Sequence, residues 1–410
     1  MIKRSIKQSI VNSLNLKEVT IIIGARQIGK TTVLKEIITD LKLSGKKVVY
    51  FNLDIEDDSK HFATQQQLLN KIRLEVGTDK AYVFIDEIQQ KVNSGKFLKG
   101  IFDMDLPYKF VVTGSGSLEL KEKISESLTG RKHLIEMKAV SFLEFVNYKT
   151  NYKYENRIDK FFEIEPQKTS LLLNEYLSFG GYPAVVTEDT AERKLEIMNE
   201  IFISYITKDI SFLLGVRYPD KFVKMIKLLA VQVGGILNYS QLAQDIGIRV
   251  ETLKTFLWYA EQTYIISIIK PYFTNRKKEL TKSPTVYFND IGMLNFSRNR
   301  FEINSTDGMI FQNFIFTILD QKFNQGLSEI NFWRSKDKAE VDFVVHTKEG
   351  IIPIEVKNKN MQKSTITRSF RSFISNYKPN KGVFVNLSYR DSIIINNTKV
   401  NFIPYWALYL

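Results

Sequence analysis

The chain has no cysteine. Disulfides, thiolate nucleophiles, zinc ribbons and iron–sulfur clusters are therefore excluded. Histidine is scarce: only His61, His133 and His346 occur, far apart in sequence. A zinc site built mainly of imidazole is not expected, and any metal should be a hard cation held by oxygen ligands. No apolar run approaches the ~20 residues that span a bilayer. The opening stretch, MIKRSIKQSIVNSLNL, has cationic residues but no continuous apolar core, so it does not read as a secretory signal. A cytoplasmic protein without membrane association is the expectation.

What is present describes a folded protein. Hydrophobic residues make up 44% and charged residues 25%, values of a chain that buries a core. A length of 410 residues is too great for one ordinary core, so two to four domains are expected. The net charge is +13. Such an excess favours a polyanion partner through counterion release, with DNA the leading candidate.

The strongest local signal is EVTIIIGARQIGKTTVLKEIITDLKLSG. Val19 to Ile23 form the continuous apolar run of a strand buried on both faces. Gly24, Ala25, Arg26, Gln27, Ile28, Gly29, Lys30 and Thr31 then match G-x-x-x-x-G-K-[ST], with Thr32 following. Glycines let the backbone wrap closely, so that successive N–H groups face a phosphate chain. Lys30 is placed to reach the β/γ oxygens and Thr31 to put a hydroxyl on Mg²⁺, while the helix behind adds its dipole. ATP with Mg²⁺ is the expected cofactor. Downstream, AYVFIDEIQQ ends an apolar strand on Asp86 and Glu87. Asp86 would orient the metal's water shell and Glu87 would polarise the attacking water. A third strand, YKFVVTGSGSLEL, carries Thr113 and Ser115 at its carboxyl end, where either would face the ligand crevice. KKVVYFNLD supplies one more strand between the P-loop strand and the acid pair. Arg131, in SLTGRKHLIEMK, precedes a strand over 133–137. It would contact phosphate in the same chain or in a neighbour, and a structural role is equally open.

GARQIGKTT, VFIDEIQ, VVTGSGS, SLTGR and SFLEF, in that order, resemble a prokaryotic AAA+/STAND-like P-loop ATPase family. The resemblance spans essentially the whole chain. It implies an α/β multidomain protein: an additional-strand P-loop ATPase with a parallel sheet over 1–140, a helical lid over 141–215, a winged helix over 216–289, and an α/β restriction-endonuclease-like domain of the PD-(D/E)xK type over 290–410. GGYPAVV and SYITKDI are elements similar to that family.

SQLAQDIGIRVETLKTFL reads as a helix-turn-helix, with a Ser-capped helix over 240–246, Gly247 in the turn and a second helix over 250–262. Region 216–289 holds 11 Lys/Arg against 5 Asp/Glu. Arg249, Thr252, Lys254 and Thr255 would face a groove or phosphates, and Arg276, Lys277 and Lys278 would form a basic wing tip. A packing role between domains fits the same residues.

After a helix over 308–323, the order is αβββαβ. VDFVVHTKEGIIPIEVK places Asp342 near Glu355 and Lys357, and period-2 alternation puts the last two on one face. Two carboxylates and a lysine suit a second Mg²⁺ or Mn²⁺ and phosphodiester hydrolysis. The family resemblance implies a glutamate on the first helix, where this chain has Gln312, a poorer ligand. Three functions are consistent with this: ATP hydrolysis acting on or regulated by nucleic acid, an ATP-gated nuclease, or a non-catalytic switch that binds DNA, a protein partner or a second copy.

Overall fold

A computed structural model describes residues 1–115, 128–206, 210, 218–273, 282–301, 307–323 and 329–409. Five strands form the first sheet: β1 Val19–Gly24, β2 Val48–Asn52, β3 Ala81–Asp86, β4 Tyr108–Ser115 and β5 Lys132–Glu136. Their order is β2-β3-β4-β1-β5, and every pairing is parallel. This is a P-loop ATPase sheet with the extra strand in place, because β4 separates β1 from β3. Parallel strands need both faces covered, and alternate residues meet that need. Ile22, Phe84 and Val111 enter one apolar cluster, while Ile21, Ile23, Val83, Ile85 and Val112 enter the other.

A helical region follows, with helices Phe142–Lys149, Ile158–Ile164, Pro166–Phe179, Pro183–Thr187 and Ala191–Ser204. Three more helices, Pro219–Val231, Tyr239–Ile246 and Val250–Gln262, lead into an antiparallel pair, β6 Ile266–Ile269 and β7 Thr285–Phe288. The helix over 239–246 is capped by Asn238, whose side chain accepts from the Gln241 N–H at 3.1 Å, and not by Ser240 as the sequence suggested. Asn238 wins because its short side chain reaches that N–H from an extended backbone. Gly247 ends the helix in the left-handed region, as expected of a C-cap glycine.

The C-terminal sheet has six strands: β8 Ile330–Arg334, β9 Glu340–Thr347, β10 Gly350–Val356, β11 Lys381–Asn386, β12 Asp391–Ile395 and β13 Thr398–Pro404. Their order is β12-β13-β11-β10-β9-β8. The helix Gly308–Phe323 precedes β8 and the helix Arg368–Tyr377 separates β10 from β11. β12 and β13 extend this sheet past the six elements read from the sequence.

One apolar cluster runs from the first sheet through the helices to the C-terminal sheet, beside two separate clusters, one at each sheet. Phe142, from the helix after the first sheet, packs edge to face with Tyr176 and Phe314 and at a tilt with Tyr405, with ring centroids 5.4, 5.6 and 5.7 Å apart. Among the described residues no helix is long and apolar enough to cross a membrane.

Candidate functional site

Because β4 lies between β1 and β3, Gly24, Thr113 and Asp86 come together at the carboxyl ends of three adjacent strands. Ligand crevices of parallel sheets form there. Gly24 has φ +153°, and a Cβ on it would lie 2.2 Å from the Met137 carbonyl oxygen. Only glycine fits that approach. Gly29 has φ +90° and precedes the helix Lys30–Leu43, whose N-terminus has no side-chain cap. The first N–H groups of a helix have no intrahelical acceptor, and together with the helix dipole they suit an anion. Lys30 is buried, and its Nζ donates to the carbonyls of Gly24 at 3.1 Å and Ala25 at 2.7 Å. Thr31 and Arg26 are half-buried; Gln27, in the left-handed region, and Thr32 are exposed.

Asp86 is 1% exposed. Its Oδ1 accepts from the Thr113 hydroxyl and its Oδ2 from the Tyr50 hydroxyl at 3.1 Å. Burial, then the charge of Asp86, pushes the Tyr50 phenol well above its ordinary pKa. Glu87 takes a left-handed backbone, donates its N–H to Thr113 Oγ1 at 3.3 Å, and accepts from Gln89 Nε2 on its Oε2. Thr113 thus serves both acids. Ser115 ends β4, and its side chain lies outside the described residues.

Arg131 is not part of this group. β5 runs parallel to β1 with Lys132 opposite Val19, so Arg131 sits at the amino end of the sheet. The P-loop is at the other end, about 17 Å away at ~3.3 Å per strand residue. Arg131 pairs instead with Asp103 Oδ1 at 2.8 Å. A phosphate contact within the same chain is thereby excluded.

Two glycines of the GGYP element explain its tight backbone. A Cβ on Gly180 would meet Asp290 Oδ1 at 2.4 Å, and one on Gly181 would meet the Val140 carbonyl at 2.2 Å. Pro183 then reaches within 3.7 Å of where a Cβ on Gly29 would lie. The helical region is thus seated against the P-loop.

A second group lies where β9 and β10 part. Ile354 pairs with Phe343, the last rung of that ladder, so Asp342 and Glu355 come next on either strand. Asp342 Oδ2 accepts from the Val356 N–H at 2.7 Å, and Glu355 Oε1 from Lys357 Nζ at 2.8 Å. Glu355 is 5% exposed, and its Oε2 has no hydrogen-bond donor. Burial first, then the charge of Glu355, raises the Asp342 carboxyl; burial also raises Glu355, against the pull of Lys357. Gln312 is buried, and its amide donates to the Tyr287 hydroxyl at 2.9 Å. That phenol feels the charge of Asp342. Among the described residues no group of three His, Cys, Asp or Glu side chains forms a metal cage.

On the helix Val250–Gln262, Lys254 is exposed, as is Arg249 just before it, while Thr252 is half-buried. Other nearby cations have structural work: Lys221 and Lys224 donate to the carbonyls of Ile246 and Asp245 at 3.2 and 2.5 Å. Arg276, Lys277 and Lys278 lie outside the described residues.

Residues 16–146 match the AAA domain family. Residues 170–303 and 307–408 match two domains of unknown function, DUF8612 and DUF4143. An uncharacterized protein of Methanocaldococcus jannaschii is 25% identical over 405 residues, covering 95% of this chain and 87% of that relative. One of Haemophilus influenzae is 23% identical over 420 residues, covering 98% and 97%. AMPPCP-bound DnaA from Aquifex aeolicus is 14% identical with a TM-score of 0.28, over 64% of this chain and 89% of that one. A score that low carries no weight. Strand order and the AAA match assign the N-terminal fold.

The sequence did not single out Tyr50, Gln89 or Arg4, which orders the P-loop's flank. Period-2 alternation in VVYFN was the available signal for Tyr50. Arg4 had none, since its partners are distant in sequence.

Proposed function

We propose that the chain binds ATP with Mg²⁺ at the P-loop and hydrolyses it. The observation behind this is the meeting of an uncapped helix N-terminus, Lys30, and the Asp86–Thr113–Tyr50 cluster at adjacent strand ends. Thr31 and Asp86 would hold Mg²⁺, which supplies charge neutralisation at the β- and γ-phosphates. The donor set fits a hard cation, because the buried Asp86 carboxylate is oriented by two hydroxyls. Lys30 would leave its two carbonyl partners for phosphate oxygens. Glu87 would release Gln89 and orient the attacking water. The test is Mg²⁺-dependent release of phosphate by wild type, Lys30→Ala and Glu87→Gln. Lys30→Ala should lose nucleotide binding. Glu87→Gln should keep binding and lose about a hundredfold in turnover. Equal turnover by all three proteins would sink the proposal.

Asp342, Glu355 and Lys357 favour a second activity, metal-dependent hydrolysis of phosphodiesters. The orphaned Glu355 Oε2 beside the raised Asp342 carboxyl supports it. Asp342 and Glu355 would hold the Mg²⁺ or Mn²⁺, and Lys357 would stabilise anionic charge on the phosphate. Gln312 adds no charge. Cleavage of single- and double-stranded DNA, with and without ATP, tests it beside Lys357→Ala. Cleavage lost in that variant would make the protein an ATPase–nuclease. No cleavage by wild type would leave this face as a binding surface.

Nucleic acid is the proposed partner, with residues 216–289 as a winged helix. The net charge of +13 and the exposed Arg249 and Lys254 support this.

A further inference from the structure

Arg4 precedes the helix Ile6–Ser13 and is only 8% exposed. A buried guanidinium must satisfy its N–H groups or destabilise the fold. This one is well partnered. Nε meets Glu144 Oε2 at 3.2 Å, Nη1 donates to the Ile28 carbonyl at 3.0 Å, and Nη2 donates to the carbonyls of Lys138 at 2.6 Å and Ala139 at 3.2 Å. Glu144 is itself fixed. It accepts from the N–H and hydroxyl of Ser5 at 2.7 and 2.8 Å, and completes a capping box with Ser141.

The Ile28 contact has a consequence for the phosphate cradle. The Ile28 carbonyl and the Gly29 N–H belong to one planar trans peptide, so they point in opposite directions. A donor that holds the oxygen on the outside of the loop aims the N–H at the inside. Gly29 has no Cβ to restrict that plane and sits at φ +90°. Of all the loop's peptides this is one with little intrinsic preference to hold it. Arg4 supplies the restraint through a charge-assisted bond, which also polarises the peptide. Its fork reaches the 138–139 backbone at the same time, so the loop is braced against the segment after β5.

We infer that Arg4 is a positioning residue for nucleotide binding: its grip on the Ile28 carbonyl presets the Gly29 N–H for phosphate. This rests on the ATP reading of the P-loop. Glu144 neutralises the guanidinium, so geometry rather than net charge carries the effect. Lysine keeps the charge but has no planar fork to span Ile28 and the 138–139 backbone. A preset cradle favours ground state and transition state alike, which moves KM and leaves kcat.

The experiment uses the full chain with Mg²⁺ and ATP, read by calorimetric titration, steady-state hydrolysis and thermal melting. The proteins are wild type, Arg4→Lys, Arg4→Met, Glu144→Gln and Lys30→Ala. Arg4→Lys and Arg4→Met should each weaken ATP binding about tenfold or more. Their kcat at saturating ATP should stay within about twofold of wild type. Glu144→Gln leaves the Ile28 contact in place, so it should melt earlier yet bind ATP within about twofold of wild type. If Arg4→Met does not fold, Arg4→Lys decides. Earlier melting of the Arg4 variants with unchanged ATP affinity would overturn the inference and leave Arg4 as a strap for the N-terminal segment. So would a fall in kcat at unchanged KM. If wild type and Lys30→Ala treat ATP alike, the ATP reading itself fails, and the inference falls with it.

Discussion

The Tyr50 hydroxyl donates to Asp86 Oδ2 at 3.1 Å, from β2 onto the end of β3. The edge strand of the sheet thus supplies a direct partner to the proposed metal-holding acid. Tyr50→Phe removes that donor and leaves a buried lone pair. The melting temperature should fall by the equivalent of about 1 kcal/mol. The Mg²⁺ needed for half-maximal ATP hydrolysis should rise about tenfold, as for loss of a partner to a ligating carboxylate. A Mg²⁺ titration of activity checks it; an unchanged midpoint would remove Tyr50 from the site.

Gly181 crosses the Val140 carbonyl with no room for a methyl group. Its N–H also donates to Asp290 Oδ2 at 2.7 Å, and its carbonyl accepts from Val140 N at 2.8 Å. Gly181→Ala should destabilise the chain by about 3 kcal/mol, the upper range for forced overpacking. Chemical denaturation measures this directly. A cost below about 1 kcal/mol would mean that the crossing relaxes.

The pair Asp342 and Glu355 predicts a pH slope. Both carboxyls are raised, chiefly by burial. The folded chain therefore holds protons that the unfolded chain releases near pH ~4. The sign follows: stability falls as pH rises from that range through the raised pKa of the pair, then levels. Asp342→Asn keeps an acceptor for the Val356 N–H and removes one charge. Melting curves between about pH 5 and about pH 8 should show the slope in wild type and a flatter line in the variant. Added Mn²⁺ should recover stability in wild type at the upper end, because it replaces the protons. A steeper loss in the variant would contradict the arrangement.

Arg249 and Lys254 are the described, exposed cations of the helix-turn-helix candidates. Replacing both by alanine should lower DNA affinity at every sequence tested. The slope of log affinity against log salt should shrink by about two, one for each phosphate that is no longer neutralised. An unchanged slope would assign this region to packing between parts of the chain.

Much of the architecture was legible because its signals are local. The apolar run before Gly24, the loop and the helix from Lys30 lie within one short stretch, and they fold as that pattern requires. The helix Gly308–Phe323 falls on its expected bounds for the same reason. Asp86 and Thr113 were each legible as strand-end polar residues. Their direct bond was not, because it depends on β4 being placed beside β3. Arg131 misled for a related reason. Its Gly-Arg motif says nothing about which end of the sheet it occupies, and a parallel pairing with β1 put it at the wrong end for a cis phosphate contact.

By itself, the sequence determined the backbone of the phosphate cradle, the alternation that buries each sheet, and the absence of thiol chemistry. These follow from residue types at short spacing, where sterics and periodicity act without help from the rest of the chain. Only the tertiary structure decided the partners of those groups. Tyr50 reaches Asp86, Arg4 reaches Ile28, and Gln312 reaches Tyr287, at separations of 36, 24 and 25 residues. A buried polar group must find a partner wherever the fold brings one, because leaving it unmade costs more than the bond contributes. That requirement acts in space, and the order of residues along the chain does not record it.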